Sequence, residues 1–456
     1  MTDGRGHFRQ PGAPGAAPVP REAAGNGVRL AVRPRTHQED TVLVSPTLAI
    51  NEEIARRRAQ GRPVVALGFG EASLPVHPLL VDQLARHAAQ GGYGEVAGAS
   101  RLREAAAGYW SRRGVGTRAE EVVAGPGSKP LLYAVFEALG GPVLLPRPSW
   151  VSYAAQNEIL GQRSVSVPTV EGEGGVPDPA RLDSVARGLR DAGTPATAVL
   201  VTIPDNPTGT VAAPATVREL CRVAEEHDLV VISDEIYLDL VHDPDREVLT
   251  PSQVVPGRTI TTTGLSKSLA LGGWRIGVAR IPDGLLSQVR GRVTSVASEI
   301  WSAPAHPVQL AAAWAFAEPA DLTAHIALSS RLHGRVARAV AAVFRDAGAE
   351  VAEPSGAFYL YPDLEPLRDR LAGAGVTTSP GLARVLLDEH GIATLPGAAF
   401  GDAEDRLTLR VATPMLYGPS DDQRWAALEA EAPAELPWIR EGLDTVRHAL
   451  DAMLPE

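Results

Sequence analysis

A lysine stands between two serines in the segment TTGLSKSLALGGWRIG, which covers residues 262–277. Lys267 is followed by a pair of glycines and, eight residues on, by Arg275. A phosphate-binding loop of the P-loop type would place a glycine directly before the lysine, and Ser266 occupies that position here. A solvated surface amine is the ordinary interpretation of Lys267 alone, and a nucleophile toward a carbonyl group is the chemical alternative.

Polar residues also follow other apolar segments that are typical of strands. Asp234 and Tyr237 end the segment LVVISDEIY, and Asn206 follows VLVTIP. Each residue has an ordinary structural explanation, because an aspartate after a strand often caps a helix and Asn-Pro is typical of turns. If the fold brings them to one edge of a sheet, they need a common chemical explanation.

An anion site is predicted by the segment VVAGPGSK, in which a glycine turn leads into a helix. The backbone N–H groups after Gly127 would bind a phosphate, and Ser128, Ser266 and Arg275 would add side-chain donors. Trp150, in PRPSWVSY, offers a flat face to a planar ring, although core packing explains it equally well.

A phosphate, a planar ring, a basic ring nitrogen and an aldehyde together describe pyridoxal 5'-phosphate. Its known requirements are a lysine for the aldehyde and an acidic partner for the ring nitrogen. Lys267 and Asp234 are the candidates for these two positions. We assign no metal site.

The elements that must position these residues alternate between short apolar strands and helices. The segments EVVAG, PVLLP, TAVLVTIP, LVVISDE and TITTTG are typical of strands, and WRIGVARIP closes the series. This pattern predicts an α/β fold with a mainly parallel sheet flanked by helices. The carboxyl ends of such strands meet at one edge of the sheet, which is where ligands bind.

Composition divides the chain into three parts. Residues 1–40 are rich in Gly, Pro and Ala and predict a disordered N-terminal arm. Residues 76–310 predict the large cofactor-binding α/β domain. Residues 311–456 carry Ala-rich helices and then GAFYLYPD and RLTLRVAT, and together with 41–75 they predict a small α+β domain.

Charge and cysteine usage exclude several classes of function. The 456 residues carry a formal net charge of −11, which argues against a nucleic-acid partner. No segment is apolar enough for a membrane span, and the N-terminus lacks the layout of a secretory signal. Cys221 has no second cysteine to pair with and predicts a buried structural thiol. These features predict a cytoplasmic protein.

From about residue 45 to 420 the chain resembles the class I/II (fold type I) pyridoxal-phosphate-dependent aminotransferase family, and in particular its bacterial aspartate-type subgroup. The resemblance depends on specific motifs that occur in the family's order. They are Asn-Pro-x-Gly at 206–209, Asp-x-x-Tyr at 234–237, Ser-Lys at 266–267 and Gly-Trp-Arg-Ile-Gly at 273–277.

The resemblance implies a role for each matched residue. Lys267 would form the Schiff base with the cofactor, and Asp234 would contact the ring nitrogen. Tyr237 and Asn206 would contact the phenolic oxygen of the ring. The remaining cofactor contacts are assigned to Gly127, Ser128, Lys129, Trp150, Ser266 and Arg275.

Two further matches are less specific. The segment GGYGEVAGASRLREA resembles the one whose tyrosine reaches the phosphate of a neighbouring subunit, which implies that Tyr93 does so in a homodimer with shared active sites. The segment GFGEA resembles the glycine loop near the substrate carboxylate, which assigns Gly70 to substrate binding. The family usually has Pro-Asp where this chain has Ala72-Ser73, so the mouth of the site is expected to differ.

The family binds the substrate carboxylate with an arginine on a late strand. The segment RLTLRVAT offers Arg406 and Arg410, which share one strand face with Thr408. Aligning Ala412-Thr413 with the family would put Thr408 on the arginine position, so neither candidate fits cleanly. We favour Arg410.

The side chain that the substrate carries is less well defined. A second arginine from the neighbouring subunit reads the distal carboxylate in some dicarboxylate aminotransferases, and Ser298 beside Glu299 occupies about that position here. Lys129 matches a lysine that reads acidic side chains in some bacterial members, although it could simply cover a helix start. Ser298 and Glu299 disfavour such a dicarboxylate reader and leave a basic or neutral substrate side chain possible, whereas Lys129 would favour an acidic one. Both interpretations stay open at this point.

The resemblance implies transfer of an amino group between an L-amino acid and a 2-keto acid, with Lys267 moving the proton at Cα. Burial beside a cationic cofactor would lower the pKa of this amine from its ordinary value of ~10.4. A pyridoxal-phosphate-dependent lyase or cyclase on the same scaffold is the main alternative. An aminotransferase-like transcription regulator would need a helix-turn-helix module, for which the Gly/Pro-rich arm is unsuited. A Ser-Lys hydrolase would leave Asp234, Asn206 and Arg275 unexplained.

Overall fold

The strands follow from short runs of apolar and β-branched residues. The structure is a computed structural model that describes residues 45–454, so the arm predicted for 1–40 lies outside the described residues. Both AVLVT and VVISD are buried along their whole length, as expected for central parallel strands with helices on both faces. The strands of this part are β1 (Val65–Ala66), β2 (Val122–Gly125), β3 (Val143–Arg147), β4 (Ser164–Pro168), β5 (Ala198–Thr202), β6 (Val230–Asp234), β7 (Thr259–Gly264), β8 (Gly277–Arg280), β9 (Tyr359–Leu360), β10 (Ile392–Ala393), β11 (Leu395–Pro396) and β12 (Leu409–Ala412).

Seven strands form the largest sheet, in the order β2-β8-β7-β6-β5-β3-β4. The five strands β4, β3, β5, β6 and β7 run parallel, and β8 runs antiparallel to both of its neighbours. This mainly parallel, helix-flanked sheet confirms the predicted α/β fold class. The loops after β5, β6 and β7 therefore leave the sheet at the same edge.

The helices begin where prolines and small polar residues permit, and they bury one apolar face. In α7, for example, Val217, Leu220, Cys221 and Ala224 face the core. The predicted structural thiol is thus buried, and burial raises the pKa of Cys221 to about 12. The helices of the described part are α1 (Pro46–Ala59), α2 (Pro78–His87), α3 (Ser100–Arg112), α4 (Ser128–Leu139), α5 (Ser152–Ile159), α6 (Pro179–Asp191), α7 (Pro214–Glu226), α8 (Pro251–Val254), α9 (Ser287–Ile300), α10 (His306–Phe316), α11 (Ala320–Asp346), α12 (Arg368–Gly373), α13 (Ser379–His390), α14 (Asp421–Glu429) and α15 (Pro437–Met453).

Two small sheets carry the late site residues. Strand β1 pairs in parallel with β10, and β12 lies between β11 and β9 in an antiparallel sheet. In this sheet Tyr359 of β9 is the register partner of Ala412, and Arg410 lies on the same strand as Ala412. Leu67 and Leu74 pack into the core formed by α11, α13 and α15. The division into domains at residues 75 and 310 stays a prediction.

Membrane-spanning helices were sought within residues 45–454. None of the helices there combines the length and the apolar character that crossing a bilayer requires.

Candidate active site

A cavity of about 390 Å³ opens at the carboxyl edge of the parallel strands. It collects the polar residues that follow β5, β6 and β7, together with residues from the start of α4 and from β12. Of the site residues predicted from the sequence, all but Gly127 and Tyr93 line it. These are Gly70, Ser128, Lys129, Trp150, Asn206, Asp234, Tyr237, Ser266, Lys267, Arg275 and Arg410.

Lys267 lies in the loop after β7 and points its amine into this cavity. Its Nζ donates a hydrogen bond to the carbonyl oxygen of Gly70 at 2.5 Å. The same nitrogen lies 5.9 Å from the ring centroid of Tyr237 and 5.8 Å from that of Phe358. Burial, helped by the positive charge of Arg410, lowers the pKa of Lys267 from 10.5 to about 8. A much larger fraction of this amine is therefore neutral near pH 7 than of a solvated lysine.

Asp234 is the last residue of β6, and its carboxyl group is almost fully buried. Oδ2 accepts a hydrogen bond from the Tyr153 hydroxyl at 2.8 Å, and Oδ1 accepts one from Thr262 Oγ1 at 3.3 Å. Burial raises the pKa of Asp234 from 3.8 to about 6 despite these donors. The carboxylate would consequently be stabilised by a cation placed against it.

Asn206 and Tyr237 meet on the neighbouring wall. Asn206 Nδ2 donates to the Tyr237 hydroxyl at 3.4 Å, and that hydroxyl lies 2.8 Å from the Tyr359 hydroxyl. Asn206 Oδ1 is buried and has no hydrogen-bond partner within residues 45–454. An unsatisfied buried acceptor of this kind indicates a group that the protein chain does not supply.

The start of α4 lies at one end of the cavity and has the features of an anion site. Helix α4 begins at Ser128, and no side chain of the described chain caps it, so its first backbone N–H groups are available to a ligand. Gly127 precedes it with φ +95°, a conformation that favours glycine. Gly127 itself does not line the cavity, but a Cβ there would lie 2.5 Å from Arg275 Nη2. The glycine thus leaves room for the guanidinium beside the helix start.

Arg275 has φ +53°, the left-handed region that arginine rarely adopts. Its Nη1 donates to the Gly272 carbonyl at 3.0 Å and its Nη2 to the Pro126 carbonyl at 3.1 Å. Ser266 and Ser128 bring hydroxyl groups to the same part of the wall. Strained backbone in such a place is typical of a functional residue.

Trp150 and Lys129 form the wall next to the helix start. The Trp150 ring packs edge-on against Tyr153 at 5.2 Å, and Lys129 Nζ lies 4.8 Å from the Trp150 ring centroid. Burial and then the charge of Arg275 lower the pKa of Lys129. Lys129 and Lys267 are the two lysines in a chain with 43 basic residues, and both line this cavity. Everywhere else the chain uses arginine for positive charge.

Arg410 enters the cavity from β12 and is buried without a carboxylate partner among the described residues. Its Nη2 donates to the Gly68 carbonyl, whereas its Nε is buried and unsatisfied there. The guanidinium carbon lies 5.0 Å from the Tyr359 ring centroid and 5.1 Å from that of Phe400. Such a guanidinium is suited to a carboxylate from a ligand.

Arg406, the other candidate, lies outside this cavity. Its Nη2 pairs with Asp363 Oδ2 at 2.8 Å on the wall of a second cleft of about 680 Å³. Thr408 also faces that cleft, where its hydroxyl donates to Asp402 Oδ2 at 2.9 Å. Within the described residues, Arg410 is therefore the candidate that shares a cavity with Lys267.

Tyr93 is the one predicted contact that lies far from the others. Its side chain is 97% exposed, and it lines a separate cleft with Pro304 and His306. Within one chain it does not reach the phosphate end of the cavity. Its predicted contact requires a second subunit, and Ser298 and Glu299 likewise do not line the cavity.

Several wall residues were not anticipated from the sequence. Tyr153, whose hydroxyl donates to Asp234, lies at the start of α5, and its place close after Trp150 in PRPSWVSY was the available signal. Thr47 and Leu48 of α1 also reach the wall. Tyr359 of β9 lines the cavity as well.

The donors and acceptors of this cavity fit pyridoxal phosphate. The uncapped start of α4 with Ser128 and Arg275 suits a phosphate, and the buried carboxyl of Asp234 suits a protonated ring nitrogen. The Asn206 amide, which has a second N–H besides the one donated to Tyr237, suits a phenolic oxygen, and the neutral fraction of Lys267 suits an aldehyde.

Comparisons with known proteins agree with this chemistry. The profile of the family described as aminotransferase class I and II matches residues 63–415. The aspartate/prephenate aminotransferase of Thermus thermophilus is 34% identical over 352 residues, which cover 74% of this chain and 88% of that relative. The aspartate aminotransferase of Geobacillus stearothermophilus is 32% identical over 382 residues, which cover 81% and 92% of the two chains. A solved structure of the Thermus thermophilus aspartate aminotransferase with maleate has a TM-score of 0.73 and 30% identity, covering 86% of this chain and 96% of that one.

Proposed function

This chain belongs to the class I and II aminotransferase family and is a pyridoxal-phosphate-dependent aminotransferase, and we propose that the cavity around Lys267 is its active site. The observation that carries this proposal is a partly neutral lysine amine that shares one cavity with a buried carboxyl group and with a buried arginine that has no carboxylate partner within residues 45–454. Those three groups match the aldehyde, the ring nitrogen and the substrate carboxylate.

Pyridoxal phosphate supplies an aldehyde that condenses with amines and a ring that draws electrons from the substrate carbon. Lys267 would hold this aldehyde and release it to the amine of the amino acid. The freed Lys267 Nζ would then be placed to take the proton from the substrate's Cα and to deliver it to the carbon of the former aldehyde group. Its pKa of about 8 makes the amine a far better proton acceptor near neutrality than an ordinary lysine.

The remaining residues orient the cofactor. Asp234 balances the charge of the ring nitrogen and keeps it protonated, while Tyr153 and Thr262 hold the carboxyl group in place. Tyr237 and Asn206 contact the phenolic oxygen of the ring. Stacking and phosphate binding are assigned to Trp150, Gly127, Ser128, Ser266 and Arg275.

The substrate is held at two points. Arg410 grips its α-carboxylate beside the Gly70 loop, and Lys129 reads an acidic side chain. Lys129 is supported by its lack of a carboxylate partner among the described residues and by the confinement of both lysines to this cavity. The relatives named for aspartate, and the one solved with the dicarboxylate maleate, support an acidic amino donor such as aspartate.

The active enzyme is a cytoplasmic homodimer in this proposal. Tyr93 is fully exposed in the single chain and would complete the phosphate site of the partner subunit. The single buried thiol of Cys221 is compatible with a reducing compartment.

The assignment of Lys267 is tested by trapping. Reduction of the holoenzyme with borohydride should attach the cofactor permanently to a lysine. The two lysines of the chain, Lys129 and Lys267, are far apart in sequence and would be found in different proteolytic peptides. Mass spectrometry is expected to find the added mass on Lys267 in the wild type. The variant Lys267→Ala should still bind the cofactor but lose turnover. Added mass on Lys129, or full activity of Lys267→Ala, would overturn the assignment.

A further inference from the structure

Tyr359 lies in the two-residue strand β9 and is close to three groups of the proposed active site, which are Tyr237, Arg410 and Gly70. We propose that Tyr359 is a positioning residue that links the side of the cavity that binds the cofactor oxygen to the side that binds the substrate carboxylate. The proposal rests on the function proposed above and assigns a role to a residue outside the family motifs found in the sequence. Tyr359 is almost fully buried, with 1% of its surface exposed, yet it lines the cavity.

The first link is a chain of hydroxyl groups. The Tyr359 and Tyr237 hydroxyl oxygens lie 2.8 Å apart, and their rings meet edge-on at 5.6 Å. Burial raises the pKa of both tyrosines, so both hydroxyl groups keep their hydrogens near neutral pH. Each hydroxyl has one hydrogen to donate. When Tyr359 donates to Tyr237, the hydrogen of Tyr237 is directed away, toward the cofactor oxygen that it contacts.

The second link is a ring contact with the carboxylate-binding arginine. The Arg410 guanidinium carbon lies about as far from the Tyr359 ring as from the Phe400 ring, at 5.0 and 5.1 Å. Two aromatic faces attract the cation and fix the plane of its fork. The orientation of the Arg410 guanidinium therefore depends on the ring of Tyr359, whereas the orientation of the Tyr237 hydroxyl depends on the hydroxyl group of Tyr359.

The third link is the segment that holds the lysine. A Cβ at Gly70 would collide with the Tyr359 hydroxyl oxygen, which leaves the position to glycine. The carbonyl of Gly70 accepts the hydrogen bond from Lys267 Nζ. The Tyr359 hydroxyl is thus packed directly against the backbone that receives the catalytic amine.

The test separates the hydroxyl from the ring. In Tyr359→Phe the loss of one hydrogen bond is expected to weaken cofactor binding about fivefold. Because Tyr237 then stabilises the phenolic oxygen less well, the pH midpoint of the cofactor's visible absorption should rise. The KM for the amino donor should stay near the wild-type value. The variant Tyr359→Leu also removes the aromatic ring that packs against Arg410, and the KM for the amino donor should therefore rise as well.

Tyr361→Phe is the matched control. Tyr361 lies two residues further along, and its hydroxyl donates to Asp402 Oδ2 at 2.8 Å on the second cleft. This variant should lose comparable stability without moving the pH midpoint or the cofactor affinity. Equal midpoints and affinities in Tyr359→Phe and Tyr361→Phe would overturn the proposal.

A double variant tests the contact with the glycine. In Gly70→Ala the new methyl group meets the Tyr359 hydroxyl, whereas in the Tyr359→Phe background the nearest ring carbons would lie at 3.1 and 3.2 Å. Adding Tyr359→Phe to Gly70→Ala should therefore restore part of the cofactor affinity that Gly70→Ala alone loses. Additive losses would contradict the proposed contact. If the wild-type protein showed no visible cofactor band that responds to amino acids, the proposed function itself would fail, independently of how Tyr359 compares with Tyr361.

Discussion

At the residue scale, the buried carboxyl group of Asp234 makes the cofactor-free protein sensitive to pH. Its pKa is raised from 3.8 to about 6 by burial, so the folded state binds the proton more tightly than the unfolded state does. The stabilising effect of the neutral carboxyl is complete below pH ~4 and is lost as the pH rises through about 6. As the pH rises from below ~4 to well above 6, the unfolding free energy of the cofactor-free protein should accordingly decrease by up to ~3 kcal/mol because of this group.

Urea unfolding of the cofactor-free protein at pH 5 and pH 8 measures the part of this effect that falls between those two pH values, about 1.4 kcal/mol. The variant Asp234→Asn, which stays neutral, should show a smaller decrease between the two pH values than the wild type. Asp422→Asn, at an exposed position on α14, should behave like the wild type. An unchanged pH dependence in Asp234→Asn would show that the buried carboxyl does not titrate in this range.

The two late arginines should differ sharply in their effect on catalysis. Arg410→Lys keeps the charge but loses the planar fork, and kcat/KM for the amino donor should fall about 30- to 100-fold, because charge-assisted bonds to the carboxylate are lost. Arg406→Lys alters an ion pair that is largely exposed and should change kcat/KM less than about fivefold. Steady-state kinetics with one amino donor provides the comparison. A larger loss in Arg406→Lys would assign the carboxylate to the other arginine.

Single residues were predictable from the sequence where the chemistry fixes their type. A lysine is suited to an aldehyde and an aspartate to a ring nitrogen, and Asp234 ends β6 while Lys267 lies three residues after β7. Tyr153 and Tyr359 act by hydrogen bonds that many residue types could make. Their roles depend on which residues from distant parts of the chain lie beside them in the fold, and the spacing of neighbouring residues in the sequence does not specify this.

At the scale of elements, β8 crosses close to the start of α4, where we propose that the phosphate binds. A Cβ at Gly277 of β8 would lie 2.6 Å from the backbone of Gly127 and Ser128. Gly277→Ala should therefore displace the helix start, weaken cofactor binding by at least about tenfold and lower the melting temperature. Gly273→Ala is the matched control, since nothing lies within 4 Å of a Cβ there. Equal cofactor affinity in the two variants would contradict this role of the crossing.

Element types were predicted better than element lengths. The segment SPTLAINEEIARRRAQG, with a proline near its start and a glycine at its end, predicts a helix over 45–61, and the structure has α1 (Pro46–Ala59) there. The strand predicted over TITTTG is β7. The apolar run 63–71 predicts a longer strand than the two residues of β1, because its last residues turn to bring Gly70 to the cavity. Strand β4 was not anticipated, since SVSVP is half polar and lies at the sheet edge.

At the scale of the whole molecule, the exposed Tyr93 predicts sites shared between subunits. A mixture of Tyr93→Ala and Lys267→Ala subunits would form hybrid dimers in which one of the two sites has both residues intact. Activity should rise on mixing toward about one quarter of the wild-type value, since half of the dimers are hybrids. Activity measured before and after subunit exchange, with each variant alone as the control, tests this. No gain on mixing would contradict the contact between subunits.

The global arrangement was predictable only in outline. The alternation of strands and helices predicts a mainly parallel sheet, but it does not reveal that β8 inserts between β2 and β7. The pairing of β1 with β10 joins residues more than 300 positions apart in sequence, and no local pattern encodes it. The family motifs were informative because their order along the chain reflects this topology.

The central claim is that this cavity transfers an amino group through Lys267. The most direct measurement is the visible absorption spectrum of the purified holoenzyme, titrated with L-aspartate, or with a neutral amino acid for comparison, in the absence of a 2-keto acid. We expect the band of the lysine-bound cofactor to disappear as one equivalent of keto acid is formed per subunit. This should need a lower concentration of aspartate than of the neutral amino acid, and the band should return when a 2-keto acid is added. A band that persists with every amino acid, or that changes with release of ammonia or of a side-chain group, would contradict transamination at this site.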